Sequence, residues 1–143
     1  NSDALPANLA AINDGSDIFA TRLLIGDASV RLRIPLVSAA AAQFQAQVAL
    51  FRGWEAAQPC YRCFVGDAFD SDDCDNCAEL GVLGALPLTV GGFAALLTIR
   101  AIAGMADDAG VLHLLDADKL GWRAIPLPAD PGCRACGARP QSG

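Results

Sequence analysis

Apolar residues in the first half of the chain recur first at helical spacing and then at strand spacing. They predict a helix that begins at Ser16 or Asp17, either of which can act as its N-cap, and ends at about Leu32. A short apolar run at 34–37 predicts a strand. Alternation of apolar and polar residues over 44–52 predicts a second, half-exposed strand.

The second half of the chain adds a long helix and a hairpin. Residues 53–76 have the composition of a loop, rich in Gly, Pro and Asp. A helix is predicted to resume near Ala78, and its apolar continuation to run from about Pro87 to Ala103. Strands at 111–115 and 122–127 flank a turn and predict a hairpin. Helices that alternate with strands before a terminal hairpin favour a single α/β domain with a sheet of mixed direction.

Residues 80–99 are an uncharged stretch of 20 residues, which is the length of a membrane span. Pro87 and four glycines interrupt the stretch, and its flanks are acidic rather than basic. Both features favour a buried core helix over a membrane-spanning one, so we expect no membrane partner.

Charge and composition exclude several common functions. The chain of 143 residues carries 16 acidic and 10 basic residues, for a net charge of −6. Nucleic acid is not an expected partner, because its binding depends on clustered Lys and Arg. A phosphate loop needs a lysine after glycine, whereas the only lysine, Lys119, follows Asp118. With one histidine and no GxSxG or GxGxxG, zinc-protease, triad and complete dinucleotide-binding motifs are also absent.

The six cysteines form three CxxC pairs. The chain begins with Asn1 and no signal peptide is evident near it, so we expect a cytoplasmic, reducing location. There, such pairs indicate metal ligands or reactive thiols. The pairs are Cys60/Cys63, Cys74/Cys77 and Cys133/Cys136.

Charge decides which two pairs are predicted to share a zinc ion. Four thiolates around Zn²⁺ carry a formal charge of −2, which the arginines inside two of the pairs, Arg62 and Arg134, would stabilise. Asp72 and Asp73 precede the third pair and would repel thiolates. Gly137 permits a tight turn after the last cysteine. The predicted ligands are therefore Cys60, Cys63, Cys133 and Cys136, with buried free thiols or disulfides as the alternative.

The third pair is a candidate for reactive chemistry. Cys77 stands just before the helix predicted at Ala78, whose N-terminal amides would lower its pKa, while the neighbouring acids would raise it. Cys77 is therefore favoured over Cys74 as a nucleophile, although an unreactive loop cysteine stays possible. The acidic segment 66–76 has few apolar residues, and we expect it to be a mobile flap that keeps Cys77 accessible.

Six segments, taken in chain order, form a recognisable set. Together they resemble the MoeB/ThiF/HesA family, the ubiquitin-activating-enzyme-like adenylyltransferases of sulfur-carrier proteins, across about residues 12–137. The segments are Asp14-Gly-Ser-Asp17 with Ala20-Thr-Arg22, Pro35-Leu-Val-Ser38, Pro59-Cys-Tyr-Arg-Cys63, Asn76-Cys-Ala-Glu-Leu-Gly-Val-Leu-Gly84, Leu114-Leu-Asp-Ala117 and Leu127-Pro-Ala-Asp-Pro-Gly-Cys-Arg-Ala-Cys-Gly137.

The resemblance implies a fold, a reaction and a partner. Such enzymes use ATP to adenylate the C-terminal glycine of a ubiquitin-like sulfur-carrier protein, which then serves molybdopterin or thiamine synthesis. By the resemblance, Asp17 is the acid near Mg–ATP, Cys77 is the cysteine that can receive the activated carboxyl, and the complete enzyme is a homodimer. A carboxylate where a loop opens a helix is a suitable Mg²⁺ ligand. The implied zinc ligands are Cys60, Cys63, Cys133 and Cys136.

Two kinds of departure qualify the resemblance. Ile18 stands where the family usually has Asn, and Leu97 where Glu is common. The glycine-rich N-terminal half of the family, with its ATP contacts, has no counterpart in this sequence. We therefore expect the C-terminal half of a Rossmann-like ThiF-type fold with a zinc-stapled tail, either a fragment or one half of a split enzyme, and inactive alone.

Two other functions remain open from the sequence. The first is a non-catalytic zinc-binding module that docks a ubiquitin-like partner. The second is a dithiol redox protein that uses Cys74 and Cys77, which the nearby aspartates disfavour because they oppose thiolate formation.

Overall fold

The computed structural model describes Pro6, residues 8–66 and residues 83–137. These residues form three helices and five strands. In chain order they are β1 (Ile12–Asp14), α1 (Phe19–Leu32), β2 (Leu36–Ala42), β3 (Gln45–Phe51), α2 (Tyr61–Val65), α3 (Ala85–Ile102), β4 (Val111–Asp116) and β5 (Gly121–Pro126). The elements α1, β2, β3, α3, β4 and β5 follow the predicted order, β1 and α2 were not predicted, and the start of the helix predicted near Ala78 lies outside the described residues.

The five strands form one mixed sheet in the order β1-β2-β3-β4-β5. β1 is parallel to β2, with Asp14 opposite Ser38, and the other neighbours are antiparallel. The mixed sheet and the terminal hairpin of β4 and β5 were both predicted from the sequence, and both are confirmed.

Helices cover the two faces of the sheet unequally. On one face, α1 and α2 enclose a core that includes Leu36, Phe51 and Tyr61. On the other, α3 packs against β2 and β3 through Val37, Val48 and their neighbours. Burial of these side chains is the main stabilising contribution, at roughly 1.5–3 kcal/mol for each large apolar residue.

Only one face of α3 belongs to the core, so the prediction of a buried helix holds in part. Its buried positions recur every three or four residues and are Leu86, Val90, Ala94, Leu97 and Ala101. The opposite face is apolar and exposed, with Leu88 81% and Ile99 64% accessible. By length and composition alone α3 would also satisfy the criteria for a membrane span.

The start of α1 differs from the prediction. Neither Ser16 nor Asp17 caps the helix; the N-cap is Ile18, which offers no side-chain hydrogen bond. The reason is local, because Asp14 Oδ1 accepts the backbone N–H of Ser16 at 2.9 Å and holds the chain in a turn before the helix begins.

Two further predictions were wrong in detail. The segment expected to be loop contains the short helix α2. Tyr61 of this helix packs closely against α1, because Gly26 has no side chain; a Cβ there would lie only 2.9 Å from Tyr61 Cβ. In β3, Phe44 precedes the strand and is exposed, whereas Ala49 is buried. The alternation fails there because α2 covers the second half of the strand.

Candidate metal centre and active-site loop

Four cysteines that are distant in sequence meet at one point of the structure. Cys60 and Cys63 lie at the start of α2, and Cys133 and Cys136 lie in the tail after β5. All four sulfur atoms lie within 4.8 Å of one another. The pairing predicted from the sequence thus brings together the predicted residues.

The arrangement fits a tetrahedral zinc ion. With Zn–S bonds of about 2.3 Å, the ligand sulfurs of such a site lie about 3.8 Å apart. The Sγ–Sγ distances are 3.8 Å for Cys60–Cys63, 3.6 Å for Cys60–Cys133 and 3.4 Å for Cys63–Cys136. No disulfide joins these four cysteines, which argues against the disulfide alternative. The residues present can therefore hold one zinc ion.

Two glycines let the backbone close around this cluster. A Cβ on Gly53 would lie 2.5 Å from Cys60 Cβ and 2.9 Å from Val30 Cγ2. A Cβ on Gly137 would meet Cys133 N and O at 2.6 and 2.7 Å. The tight turn predicted after Cys136 is present, because Gly137 N donates to Cys133 O at 2.8 Å.

Burial and hydrogen bonding shift the pKa values of three of these thiols. Burial raises the pKa of Cys60 far above its usual range and that of Cys136 to about 12. Burial also acts on Cys63, but the backbone N–H of Asp130 donates to Cys63 Sγ at 3.4 Å, and hydrogen bonding leaves the pKa of Cys63 below its usual value. Coordination to a metal ion would deprotonate all four thiols.

The electrostatic argument made from the sequence is only partly right. Arg62 lies between two ligands, as expected, but its Nε and Nη2 donate to Asp27 Oδ1 and Oδ2 at 3.1 and 2.8 Å. This ion pair ties α2 to α1, so Arg62 does not face the thiolates as an uncompensated charge. Arg134 is exposed.

The candidate active-site loop comprises residues 15–18, between the end of β1 and the start of α1. Asp17 is exposed in this loop and makes no hydrogen bond or ion pair to the other described residues. No side chain caps α1, and its first turn contains no acidic residue. The positive end of the helix dipole therefore lies beside Asp17, as in sites that bind a phosphate together with a cation.

Arg22 connects this loop to its surroundings and was not singled out from the sequence as a site residue. Its guanidinium is buried and donates to four neutral oxygens: Tyr61 Oη at 3.1 Å, Ser16 O at 2.8 Å, Ser38 Oγ at 2.6 Å and Ala39 O at 3.1 Å. A helix position among apolar residues gives no sequence signal for such a network, since its acceptors come from three other segments.

An open groove of about 450 Å³ lies on the α1 side of the sheet near the β4–β5 turn. The groove is lined by residues of both charge signs, namely the acidic Asp116 and the basic Lys119 and Arg123. It could receive part of another molecule, and it contains no predicted site residue.

Several predicted residues lie outside the described part of the chain. Cys74, Cys77 and nearly all of the acidic segment 66–76 fall in this group, so their predicted roles stay predictions. The nearest described residue on the C-terminal side is Leu83, whose N–H donates to Gln43 O at the β2–β3 turn.

Comparison with known proteins decides the family. The profile of the ThiF family matches residues 1–135, which is nearly the whole chain. The chain belongs to the ThiF family. The resemblance drawn from the six sequence segments is thereby confirmed.

Curated relatives of this ThiF-family chain are named as adenylyltransferases. The sulfur carrier protein adenylyltransferase of Thermus thermophilus is 38% identical over 131 residues, covering 89% of this chain and 48% of that protein. The adenylyltransferase and sulfurtransferase MOCS3 of Drosophila virilis is 37% identical over 129 residues, covering 89% of this chain and 28% of its own length. The chain thus spans less than half the length of these relatives.

Solved structures agree on the fold. E. coli MccB crystallised with ATP superposes with a TM-score of 0.74 at 15% identity, covering 94% of this chain and 41% of MccB. The MccB structure with selenomethionine MccA gives a TM-score of 0.72 at 15% identity, covering 94% of this chain and 42% of that one. These matches confirm the α/β fold of the ThiF type.

Proposed function

We propose that this chain is the C-terminal half of an enzyme that adenylates the C-terminal glycine of a ubiquitin-like sulfur-carrier protein. In this reaction the glycine carboxylate attacks the α-phosphorus of ATP, an acyl adenylate forms, and pyrophosphate leaves. Relatives named as a sulfur carrier protein adenylyltransferase and as an adenylyltransferase and sulfurtransferase support the reaction class.

The observation that carries the proposal is the position of Asp17. This exposed carboxylate stands at the uncapped start of α1 and after the end of a parallel strand. Ligands of open α/β sheets bind at such strand ends. In the proposal, Asp17 would be a ligand of Mg²⁺, and the N–H groups of the first turn of α1 would be available to bind phosphate.

The four-cysteine cluster has a structural role in this proposal. One zinc ion bound by its thiolates would join the tail to α2, at residues 73 positions apart in the case of Cys60 and Cys133. The cluster packs against Val30, near the end of α1 opposite the active-site loop. Zinc held by these thiolates would stabilise the fold and would take no part in the chemical step.

The groove lies close enough to the active-site loop for one partner to reach both. Groove residue Gln45 pairs with Ala42 of β2, and Asp14 pairs with Ser38 of the same strand. Gln45 therefore lies two strands away from Asp14 across the sheet and four residues further along the strand direction. The distance between them is about 17 Å, which five residues of extended chain can span. We propose that the carrier docks over the groove and that its extended tail reaches the active-site loop.

Cys77 completes the proposal as the acceptor of the activated carboxyl. Attack of its thiolate on the acyl adenylate would form a thioester and release AMP. Cys77 is six positions before Leu83, which is bonded at the β2–β3 turn, and six residues reach at most about 20 Å. The carrier type, molybdopterin or thiamine, is left open, and the homodimer is proposed for the complete enzyme on the family resemblance alone.

ATP–pyrophosphate exchange with Asp17→Asn tests the role of Asp17. The chain is combined with an N-terminal half from a relative and with a sulfur-carrier protein. We expect Asp17→Asn to lower exchange at least about 100-fold while the fold is retained, because it removes the ligand charge at the reacting phosphates. Asp107→Asn, an exposed carboxylate after α3, is the matched control and should keep full activity. Equal activity of both variants would refute the assigned role.

A further inference from the structure

Tyr61 belongs to the metal-binding turn at the start of α2, and its side-chain hydroxyl lies next to α1. It stands between Cys60 and Arg62 in the sequence, and its ring is buried against Phe51 and Phe64, with ring centroids 6.0 and 6.3 Å away. Its hydroxyl oxygen accepts a hydrogen bond from Arg22 Nε at 3.1 Å. The side chain therefore reaches from the metal centre to the first turns of α1.

Arg22 continues the connection toward Asp17. Its Nη1 donates to Ser16 O at 2.8 Å, and Ser16 is the residue before Asp17 in the active-site loop. Its Nη2 donates to Ser38 Oγ at 2.6 Å, which anchors the guanidinium to β2. Because the guanidinium is planar and buried, its donors have fixed relative directions, and a displacement at one acceptor changes the geometry at the others.

We propose that Tyr61 and Arg22 are positioning residues through which the metal centre fixes the active-site loop that carries Asp17. The connection runs from the metal-binding turn through Tyr61 Oη and the Arg22 guanidinium to the carbonyl of Ser16. The inference rests on the proposed function of Asp17, but its structural part concerns only the described residues. The four-cysteine cluster then has two roles: it holds the tail against α2, and it fixes the position of the active-site loop.

Core packing alone does not account for this arrangement. The ring of Tyr61 would make the same contacts with Phe51 and Phe64 if it were phenylalanine, so packing needs no hydroxyl. The cation also has no carboxylate acceptor among its four hydrogen-bond partners, all of which are neutral oxygens. Burying the Arg22 guanidinium without a carboxylate partner costs desolvation free energy, which its hydrogen bonds must offset. These hydrogen bonds also fix the positions of the groups that accept them.

Tyr61→Phe is the first test, because it removes the hydroxyl and keeps the ring. Ser29→Ala is the matched control: it deletes another buried hydroxyl, in α1 itself, that donates to Ile34 O at 2.6 Å and makes no contact with the active-site loop. Hydrogen exchange of the Ser16 amide, which is bonded to Asp14 Oδ1, is measured in the 143-residue chain. Tyr61→Phe should speed this exchange about tenfold at unchanged zinc content, and Ser29→Ala should leave it unchanged.

Metal removal is the second test. Chelation of the wild-type chain should speed exchange at Ser16 to a similar extent, and Tyr61→Phe should add little to that effect, because both interrupt the same connection. Equal protection of Ser16 in all of these samples would overturn the proposal. If Tyr61→Phe loses zinc, Arg22→Lys, which keeps the charge but not the planar set of donors, takes its place.

A double-mutant cycle ties the inference to the reaction. In pyrophosphate exchange by the reconstituted enzyme, Tyr61→Phe should raise the KM for Mg–ATP about tenfold, but by less than about twofold in the Asp17→Asn background. Independent, multiplicative effects would overturn the link to Asp17. Absence of exchange in the parent enzyme would count against the proposed function, while the hydrogen-exchange result would still decide the structural connection.

Discussion

Gly137 lies against the backbone of Cys133 so closely that no side chain fits between them. Its N–H donates to Cys133 O at 2.8 Å, and an added Cβ would approach that oxygen to 2.7 Å. The turn after the last cysteine therefore depends on the absence of a Cβ, and the position of both tail ligands depends on this turn.

Gly137→Ala should weaken zinc binding and lower the free energy of unfolding by about 2 kcal/mol, because the backbone must shift to relieve the overlap. Gly132→Ala in the same tail is the control, since its Cβ would meet only Asp130 Oδ1 at 3.5 Å. Zinc titration with a chromophoric chelator and urea unfolding measure both effects. Similar results for the two variants would show that the close approach is not limiting.

Cysteine replacement separates the proposed metal ligands from the proposed nucleophile. Cys60→Ser or Cys136→Ser should abolish stoichiometric zinc binding, whereas Cys77→Ser should retain it. Chelation should lower the stability of the wild-type chain by about 4 kcal/mol when free zinc had exceeded its Kd by 1,000-fold. Elemental analysis of the purified proteins checks the stoichiometry. Full zinc occupancy in a Cys60/Cys136 double variant would contradict the assigned ligand set.

The metal centre illustrates what the sequence could predict and what it could not. The CxxC spacing identified three candidate pairs, and the charges beside them together with Gly137 selected the two pairs that the structure brings together, because spacing, neighbouring charge and a tight turn are local properties. The ion pair between Arg62 and Asp27 was missed, since it joins positions 35 residues apart. Charge along the sequence does not reveal which partner in space neutralises it.

Asp27→Asn should lower zinc affinity and reduce stability by about 1 kcal/mol. The ion pair with Arg62 is only partly buried, with 13% and 36% of the two side chains exposed, so its own contribution is modest. Loss of the pair removes one of the contacts that tie α2 to α1 and so loosens two of the ligands. Glu55→Gln, which alters the Arg52–Glu55 pair and leaves the contacts between α1 and α2 in place, is the control and should leave zinc affinity unchanged.

The only histidine of the chain predicts a pH dependence of stability. Burial lowers the pKa of His113, with Asp108 partly opposing the shift, and its ring packs edge-to-face on Phe93 at 5.0 Å. The unfolded chain therefore binds a proton at higher pH than the folded chain. Stability from this residue should be complete above about pH 6.5 and fall as the pH decreases toward the lowered folded pKa.

Urea unfolding of the wild type and of His113→Gln between pH 7.5 and 5.5 measures this contribution. The wild type should lose more stability over that interval than the variant, whose residue 113 does not titrate. Parallel pH profiles would assign the loss to other groups.

Helix and strand positions followed from hydrophobic periodicity, but their ends and exposed faces depended on tertiary contacts. The start of α1 was misplaced because Asp14 bonds the chain before the helix, a competition between two acids that the sequence leaves undecided. The outer face of α3 was expected to be buried because periodicity does not show how many neighbours a helix has. Arg22 was missed as a site residue because the groups that accept its hydrogen bonds come from other segments of the chain.

ATP–pyrophosphate exchange tests the central claim most directly. Four samples are compared: the chain alone, the chain with an N-terminal half from a relative, and each of these with a sulfur-carrier protein; a carrier without its final glycine is the control. The account predicts exchange only when both halves and the intact carrier are present. Exchange by the 143 residues alone, or exchange that does not depend on the final glycine of the carrier, would contradict it.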